Sequence, residues 1–266
     1  MMKPSISFQL FLKKPINENM FELIRSYGFS RCELWAMGDH IDYKNQDLKK
    51  KIKTWIEKYN ISPDTAHLPL YTKEFPISLG NKEYSQKSLD ELLYATDFLH
   101  NVNVKTFIIH IDGDLDLFFE NLSKLYKNSD GIFAFENTPN GSNLVKDVID
   151  AIIKIRRALK NGESRIGACL DIGHANIWEK PPEESIKKLK EMIIATHISD
   201  NDGKSDQHLP PGDGTMDWTK IIENFREIGY SQNFTFEIAP LFDFEEIPKV
   251  LERLKKFCEQ NNIQLE

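Results

Sequence analysis

Eight short apolar or β-rich runs, each followed by a segment of helical period, recur along a chain of 266 residues. The runs occupy residues 6–11, 31–35, 62–68, 106–111, 132–137, 166–171, 193–199 and 234–239. Strands that alternate with helices call for a parallel sheet, because a parallel neighbour is reached only through a long crossover. Eight such units in roughly 250 residues call for closure into a (β/α)8 TIM barrel. An open doubly wound sheet would expect a glycine-rich phosphate turn after its first strand, and Leu12, Lys13, Lys14 and Pro15 stand there instead.

The helical segments carry their own punctuation. Asn17 is a cap for a helix whose apolar face is Met20, Phe21, Leu23 and Ile24, and Gly28 stops it. Residues 48–59 put Ile52, Trp55, Ile56 and Tyr59 on one side, and residues 88–99 put Leu89, Leu92, Leu93, Ala95 and Phe98 near one stripe. Further helices fit 115–126, 142–159, 182–191, 217–228 and 244–260, with Asp217 as N-cap of the seventh and Trp218 packed beneath it. At 40% hydrophobic residues the chain can bury one large core, so one domain over residues 1–266 is expected.

A formal charge of −7 disfavours bulk binding to nucleic acid. Three scattered cysteines, Cys32, Cys169 and Cys258, suit a reducing cytoplasm rather than a disulfide framework. The apolar stretch at the N-terminus is too short for a leader or a membrane span and reads as the first strand.

Function is signalled by what ends the strands. Five of the seven histidines and four acidic residues fall just past the apolar runs: His67, His110, Glu136, Asp171, His174, His197, Asp206, His208 and Glu237. In a parallel barrel all strand C-termini meet at one mouth, where active sites lie. Glu136, Asp171, His197 and Glu237, ending strands five to eight, would offer a cation oxygens and one imidazole, a set that suits Mn²⁺, Mg²⁺, Co²⁺ or Zn²⁺. His67 and His110 could bring a second ion beside Glu136. His174 follows Asp171 by three residues, and Asp206-x-His208 would project both side chains to one face of an extended loop, so a third site is conceivable. Glu33, ending strand two, is expected either to hydrogen-bond inside the barrel or to face substrate.

These residues lie in the segments FENTPNGS, LDIGHANIW, HISDNDGKSDQHLPPGDGTMDW and FEIAP, supported by AHLPLY and FIIHIDG. With them the whole chain resembles the xylose-isomerase-like TIM-barrel superfamily, which includes sugar and sugar-phosphate isomerases and epimerases and the endonuclease IV class of abasic-site nucleases. In the isomerase and epimerase branch the resemblance implies one divalent ion held by Glu136, Asp171, His197 and Glu237, with His174 on the substrate. In the nuclease branch it implies three zinc ions on all nine positions, with Glu136 bridging two. The chain departs from both patterns. Asp200 and Asp202 stand where those nucleases carry a basic stretch, and the loop after strand two lacks their inserted arginine. Ketose 3-epimerases have a glutamate where Ser142 stands and an arginine near the strand-seven ligand, where Lys204 is the nearest cation.

The leading expectation is a metal-dependent sugar or sugar-phosphate isomerase or epimerase. Glu136 and Glu237 would exchange protons through an enediolate, His174 would hold a hydroxyl, and Lys204 would meet a phosphate. A zinc phosphodiesterase is the alternative, and a metal-stabilised barrel that binds a ligand without turnover is a third reading.

Overall fold

The computed structural model describes residues 1–138, 144–241 and 243–265. Ser142, and with it the start of the helix expected from that residue, lies outside them. Eight parallel strands close into one barrel in sequence order: β1 Lys3–Ser7, β2 Arg31–Trp35, β3 Ser62–His67, β4 Thr106–His110, β5 Ile132–Glu136, β6 Ile166–Asp171, β7 Ile193–Ile198 and β8 Asn233–Phe236. The helices between and after them are α1 Glu18–Ser26, α2 Gln46–Tyr59, α3 Ser85–Asn101, α4 Leu115–Lys127, α5 Val145–Ala158, α6 Gly162–Arg165, α7 Ile172–Trp178, α8 Glu183–Leu189, α9 Trp218–Glu227 and α10 Ile247–Gln260.

Local chemistry fixes the helix ends. Asn17 accepts from the Asn19 N–H, Asn45 from those of Asp47 and Leu48, Asp114 from those of Asp116 and Leu117, and Asp217 from that of Lys220. Gly28, at φ +89°, takes the left-handed turn that leads from α1 into β2.

One element departs from expectation. The first strand is Lys3–Ser7 rather than residues 6–11, and Phe8–Phe11 forms a 3-10 turn. β1 pairs with β8 through Lys3–Ile6 and with β2 through Ile6 and Ser7. The Ser7 hydroxyl then accepts from the Gln9 N–H and starts the turn. Phe8, Leu10 and Phe11 are buried in that turn as they would be in a strand, which is why an apolar run alone does not separate the two.

The barrel has two kinds of interior. Between strands and helices lies an aromatic-rich core, with Phe118 edge-on to Phe135, Phe225 to Phe234 and Phe236 to Phe257 at 5.6–6.2 Å between ring centres. Inside the ring of strands, Ile108, Ala134, Cys169 and Ala195 form a small apolar cluster on the β4–β7 side. The opposite side is polar: Ser7, Glu33, Thr65 and Thr235 are all buried there. Phe135→Ala, which empties a fully buried position against Phe118, should cost about 3–5 kcal/mol in guanidinium unfolding. A loss below about 1 kcal/mol would show that the outer layer repacks.

Candidate metal centre

Register places the candidate residues at one level. His110 pairs with Glu136, Asp171 with His197, and Trp35 with His67. Paired residues of parallel strands point the same way, so these side chains form a ring at the C-terminal rim. Glu237 joins it one residue beyond β8, where its N–H still donates to the Ile198 carbonyl at 3.1 Å.

Two further devices bring in the remaining residues. At the end of β6 the chain turns at once into α7, with Asp171 as N-cap accepting from the His174 N–H at 2.7 Å. This short helix was not expected, and it aims His174 back at the mouth. Asn137 exchanges hydrogen bonds with the Asp171 backbone at 2.8 and 2.9 Å, and its carbonyl accepts from His174 Nδ1 at 2.7 Å. His174 Nε2 is thereby left facing Asp206 Oδ2 at 3.3 Å.

The loop from β7 to α9 carries Asp206 and His208. It is not extended as expected: His208 sits at φ +47°. Its Nε2 nonetheless comes within 3.2 Å of Asp206 Oδ2. Asp200 holds this loop from inside. Fully buried, it accepts from Trp218 Nε1, the Gly212 N–H and the Asn201 N–H at 2.8–2.9 Å. Its backbone also pairs with Leu209. Asp200 therefore does not confront a phosphate at the mouth, as the sequence comparison with nucleases suggested; only Asp202 of that pair is exposed. Gly214 is required beside it, because a Cβ there would lie 2.1 Å from Asp200 Oδ1.

All nine candidates fall into three groups whose potential ligand atoms lie within 4.8 Å of one another: His67, His110 and Glu136; Glu136, Asp171, His197 and Glu237; and His174, Asp206 and His208. Glu136 belongs to two. Its Oε2 is 2.8 Å from His110 Nε2 and 3.4 Å from His67 Nε2, while its Oε1 is 3.0 Å from His197 Nδ1. His197 Nδ1 is also 3.3 Å from Glu237 Oε2. Asp171 Oδ2 is buried with no hydrogen-bond partner and lies 3.7 Å from His174 Nδ1, so a cation closer to it would offset the cost of burying this oxygen. Three carboxylates crowded around one imidazole are a donor set that fits a divalent ion.

Above the groups lies a cavity of about 200 Å³ lined by seven of the nine, together with Gln9, Trp35, Leu70 and Thr138. Asp171 and His197 sit beneath it. Gln9, Trp35 and Thr138 were not singled out from the sequence, since none carries a metal-ligand signature; Trp35 stacks on His67 at 4.2 Å between ring centres. Glu33 is fully enclosed below the rim, hydrogen-bonded within the barrel, and does not line the cavity. Lys204 is exposed on the β7–α9 loop and likewise lies outside the lining.

In the protein alone, protons occupy ligand positions. Burial pulls His174 down, but Asp171, Asp206 and Glu136 outweigh it and raise its pKa to about 10. Burial likewise opposes the charge on His208, while Asp206, Glu237 and Asp171 raise it to about 9. Burial pushes Glu237 up to about 7, against the pull of His197 and His208.

Known proteins share this architecture. The family model described as xylose isomerase-like TIM barrel matches residues 21–257. Fructoselysine 3-epimerase of Escherichia coli O157:H7 is 25% identical over 252 residues, spanning 85% of this chain and 86% of that protein. A D-tagatose 3-epimerase-like protein superposes with a TM-score of 0.76 at 21% identity, over 98% of each chain. A crystal structure of the IOLI protein with a bound zinc atom superposes at 0.73 and 16% identity, over 98% of this chain and 97% of that one. At these identities the two structural likenesses speak for the fold.

The raised histidines make a pH prediction. A histidine whose folded pKa exceeds its ordinary 6.5 adds stability that is complete below that value and lost as pH climbs through the folded one, near 9 for His208 and 10 for His174. Zinc must displace those protons, so occupancy of the third group should release protons and tighten as pH rises from about 6 to 9. Calorimetry in buffers of different ionisation enthalpy reads the release; pH-independent binding with no proton release would contradict the assignment.

Proposed function

The chain belongs to the xylose isomerase-like TIM-barrel family, and we propose that it is a divalent-metal-dependent sugar isomerase or epimerase. The observation that carries this reading is the four-residue group of Glu136, Asp171, His197 and Glu237, with a buried Asp171 oxygen that accepts no hydrogen bond, at the floor of a small-molecule cavity. The fructoselysine 3-epimerase relative supports the reaction class, and the zinc atom in the IOLI structure is a metal held by a protein of this fold. When bound, a divalent ion would supply positive charge where a carbonyl oxygen and its neighbouring hydroxyl gather negative charge.

The chain's own residues do the proton work. One of Glu136 and Glu237 removes the proton from the carbon beside the carbonyl, and the C–H electrons move into that carbonyl. The other must enter the step as the neutral acid; it gives that proton to the resulting double bond as the carbonyl re-forms and is left as the carboxylate, so protons balance and no redox partner is needed. Glu237 suits the base: it reaches the cavity and comes from β8, across the barrel from β5 and Glu136. His174, fixed by Asn137, is placed to hold a substrate hydroxyl. Among the described residues no lysine or arginine lines the cavity, and Lys204 is outside it, which favours an uncharged sugar over a sugar phosphate. The two imidazoles in each outer group favour zinc, manganese or cobalt over magnesium there. No helix among the described residues is long and apolar enough to cross a membrane. The three buried free cysteines agree with a reducing cytoplasm.

One observation favours a second reading. The partition of nine residues into three groups, two of which share Glu136, matches the three-ion set that the resemblance to the nuclease branch implies. Two experiments separate the readings. Glu237→Gln keeps an oxygen ligand but removes the base, so exchange of ketose protons with solvent deuterium should fall by roughly two to four orders of magnitude, while metal content changes little. His67→Ala combined with Asp206→Ala strips both outer groups. Epimerisation that survives this double change supports the sugar enzyme, whereas zinc-dependent incision of an abasic duplex by the unmodified protein, abolished by it, establishes the nuclease. Tight metal binding without turnover on either panel would leave a ligand-binding barrel.

A further inference from the structure

Glu33 is a buried carboxylate for which neither proton transfer nor the three ligand groups has a use. It lies on the polar side of the inner barrel with no solvent exposure. Around it the hydrogen bonds have only one consistent direction. Trp35 Nε1 donates to the Ser7 hydroxyl at 2.8 Å, and the Gln9 N–H donates to the same oxygen at 3.3 Å. With its oxygen taken by two donors, Ser7 turns its single proton to Glu33 Oε1 at 3.1 Å. Thr65 donates to Glu33 Oε2 at 2.9 Å. Between these oxygens, at 3.1 and 3.2 Å, stands His197 Nε2.

A carboxylate fed by two hydroxyl protons has only acceptor capacity left, so His197 must present Nε2–H to it. The neutral ring then carries its lone pair on Nδ1, the atom that faces Glu136 and Glu237. We propose that Glu33 is the positioning residue of the metal centre, fixing His197 in the Nε2–H tautomer so that Nδ1 is its ligand atom. The inference rests on the reading of Glu136, Asp171, His197 and Glu237 as a metal site, but not on the reaction catalysed there. The same hydrogen-bonded unit reaches the first group as well. Trp35, whose N–H orders Ser7, lays its ring on His67, so strands β1–β3 brace ligands on two sides of Glu136.

The test uses the full chain stripped of metal and reloaded with Zn²⁺ or Co²⁺, without substrate. Outer-shell partners of this kind typically contribute about 10–100-fold to metal affinity. Glu33→Ala should therefore weaken the tightest Co²⁺ site by about that factor and alter its visible absorption. Glu33→Gln, which keeps an oxygen for Nε2–H, should recover most of the loss. If Glu33→Ala does not fold, Thr65→Val removes one donor to Glu33 and should give a smaller shift in the same direction. In the unmodified Zn-loaded protein, ¹⁵N spectra should show His197 protonated at Nε2 and metal-bound through Nδ1. Affinity and spectrum unchanged in Glu33→Ala, or a zinc bond through Nε2, would overturn the proposal. Failure of the unmodified protein to bind either metal would overturn it together with the metal-site reading, whereas absent turnover with normal binding would count against the enzyme alone.

Discussion

Closure of eight parallel strands in register is the constraint on which everything else in this molecule depends. It sets His110 beside Glu136 and Asp171 beside His197 at one height, and continues to Glu237 through a single ladder bond past β8. An open sheet with the same strands would spread these side chains along an edge. The ring instead concentrates carboxylates and imidazoles into three groups, within each of which potential ligand atoms lie within 4.8 Å of one another. Such crowding opposes folding unless the charges are matched, and four of the five histidines among them, His67, His174, His197 and His208, are held against burial toward their charged form by the carboxylates, whereas burial holds His110 toward neutral.

The polar groups around that ring are held by partners drawn from different strands. Asn137 ties β5 to β6 and sets His174; Asp200 ties the β7–α9 loop to Trp218 and the Gly212 amide. Asn137 is occupied by the Asp171 backbone, and Asp200 by loop amides together with the Trp218 indole, which makes each a rigid support for one or two candidate ligands. Small apolar residues fill the inner barrel beneath β4–β7, and polar ones fill it beneath β1–β3 and β8. The division follows the ligands. His197 needs a hydrogen-bond partner below it, and the polar half is where Glu33 provides one.

Much of this was legible in the chain because barrels repeat. Eight apolar runs and their capped helices gave the architecture, and metal-type residues ending run after run gave the mouth. What periodicity could not resolve was local. Phe8–Phe11 is as apolar as a strand and equally buried, yet it has left the ladder, a matter of partners rather than composition. Helix α7 escaped notice because its seven residues follow a strand without a break and the capping residue is also a candidate ligand. Asp200 looked like surface charge because an aspartate among glycines and prolines usually is one. Its donors come from residues 12 and 18 positions away, and that distance is invisible in a linear reading.

The donor set by itself does not separate a sugar enzyme from a phosphodiesterase, since both chemistries use clustered cations to offset charge on oxygen. The distinction has to come from what surrounds the ions. A duplex carries dense negative charge, and a protein that engages it needs cations around the mouth, above all in a chain of net charge −7. Here Lys73, on the β3–α3 loop, pairs with Asp39 at 2.9 Å, and Lys44 with Glu91 at 2.6 Å. Asp202 adds exposed negative charge on the loop that carries Asp206 and His208. The cavity wall is Trp35 and Leu70, apolar surfaces that suit the C–H face of a small ring, with hydrogen-bonding groups on the other sides. On the proposed reading, surroundings that are neutral or acidic above a floor of candidate ligands favour a substrate that brings hydroxyls and a carbonyl rather than phosphates.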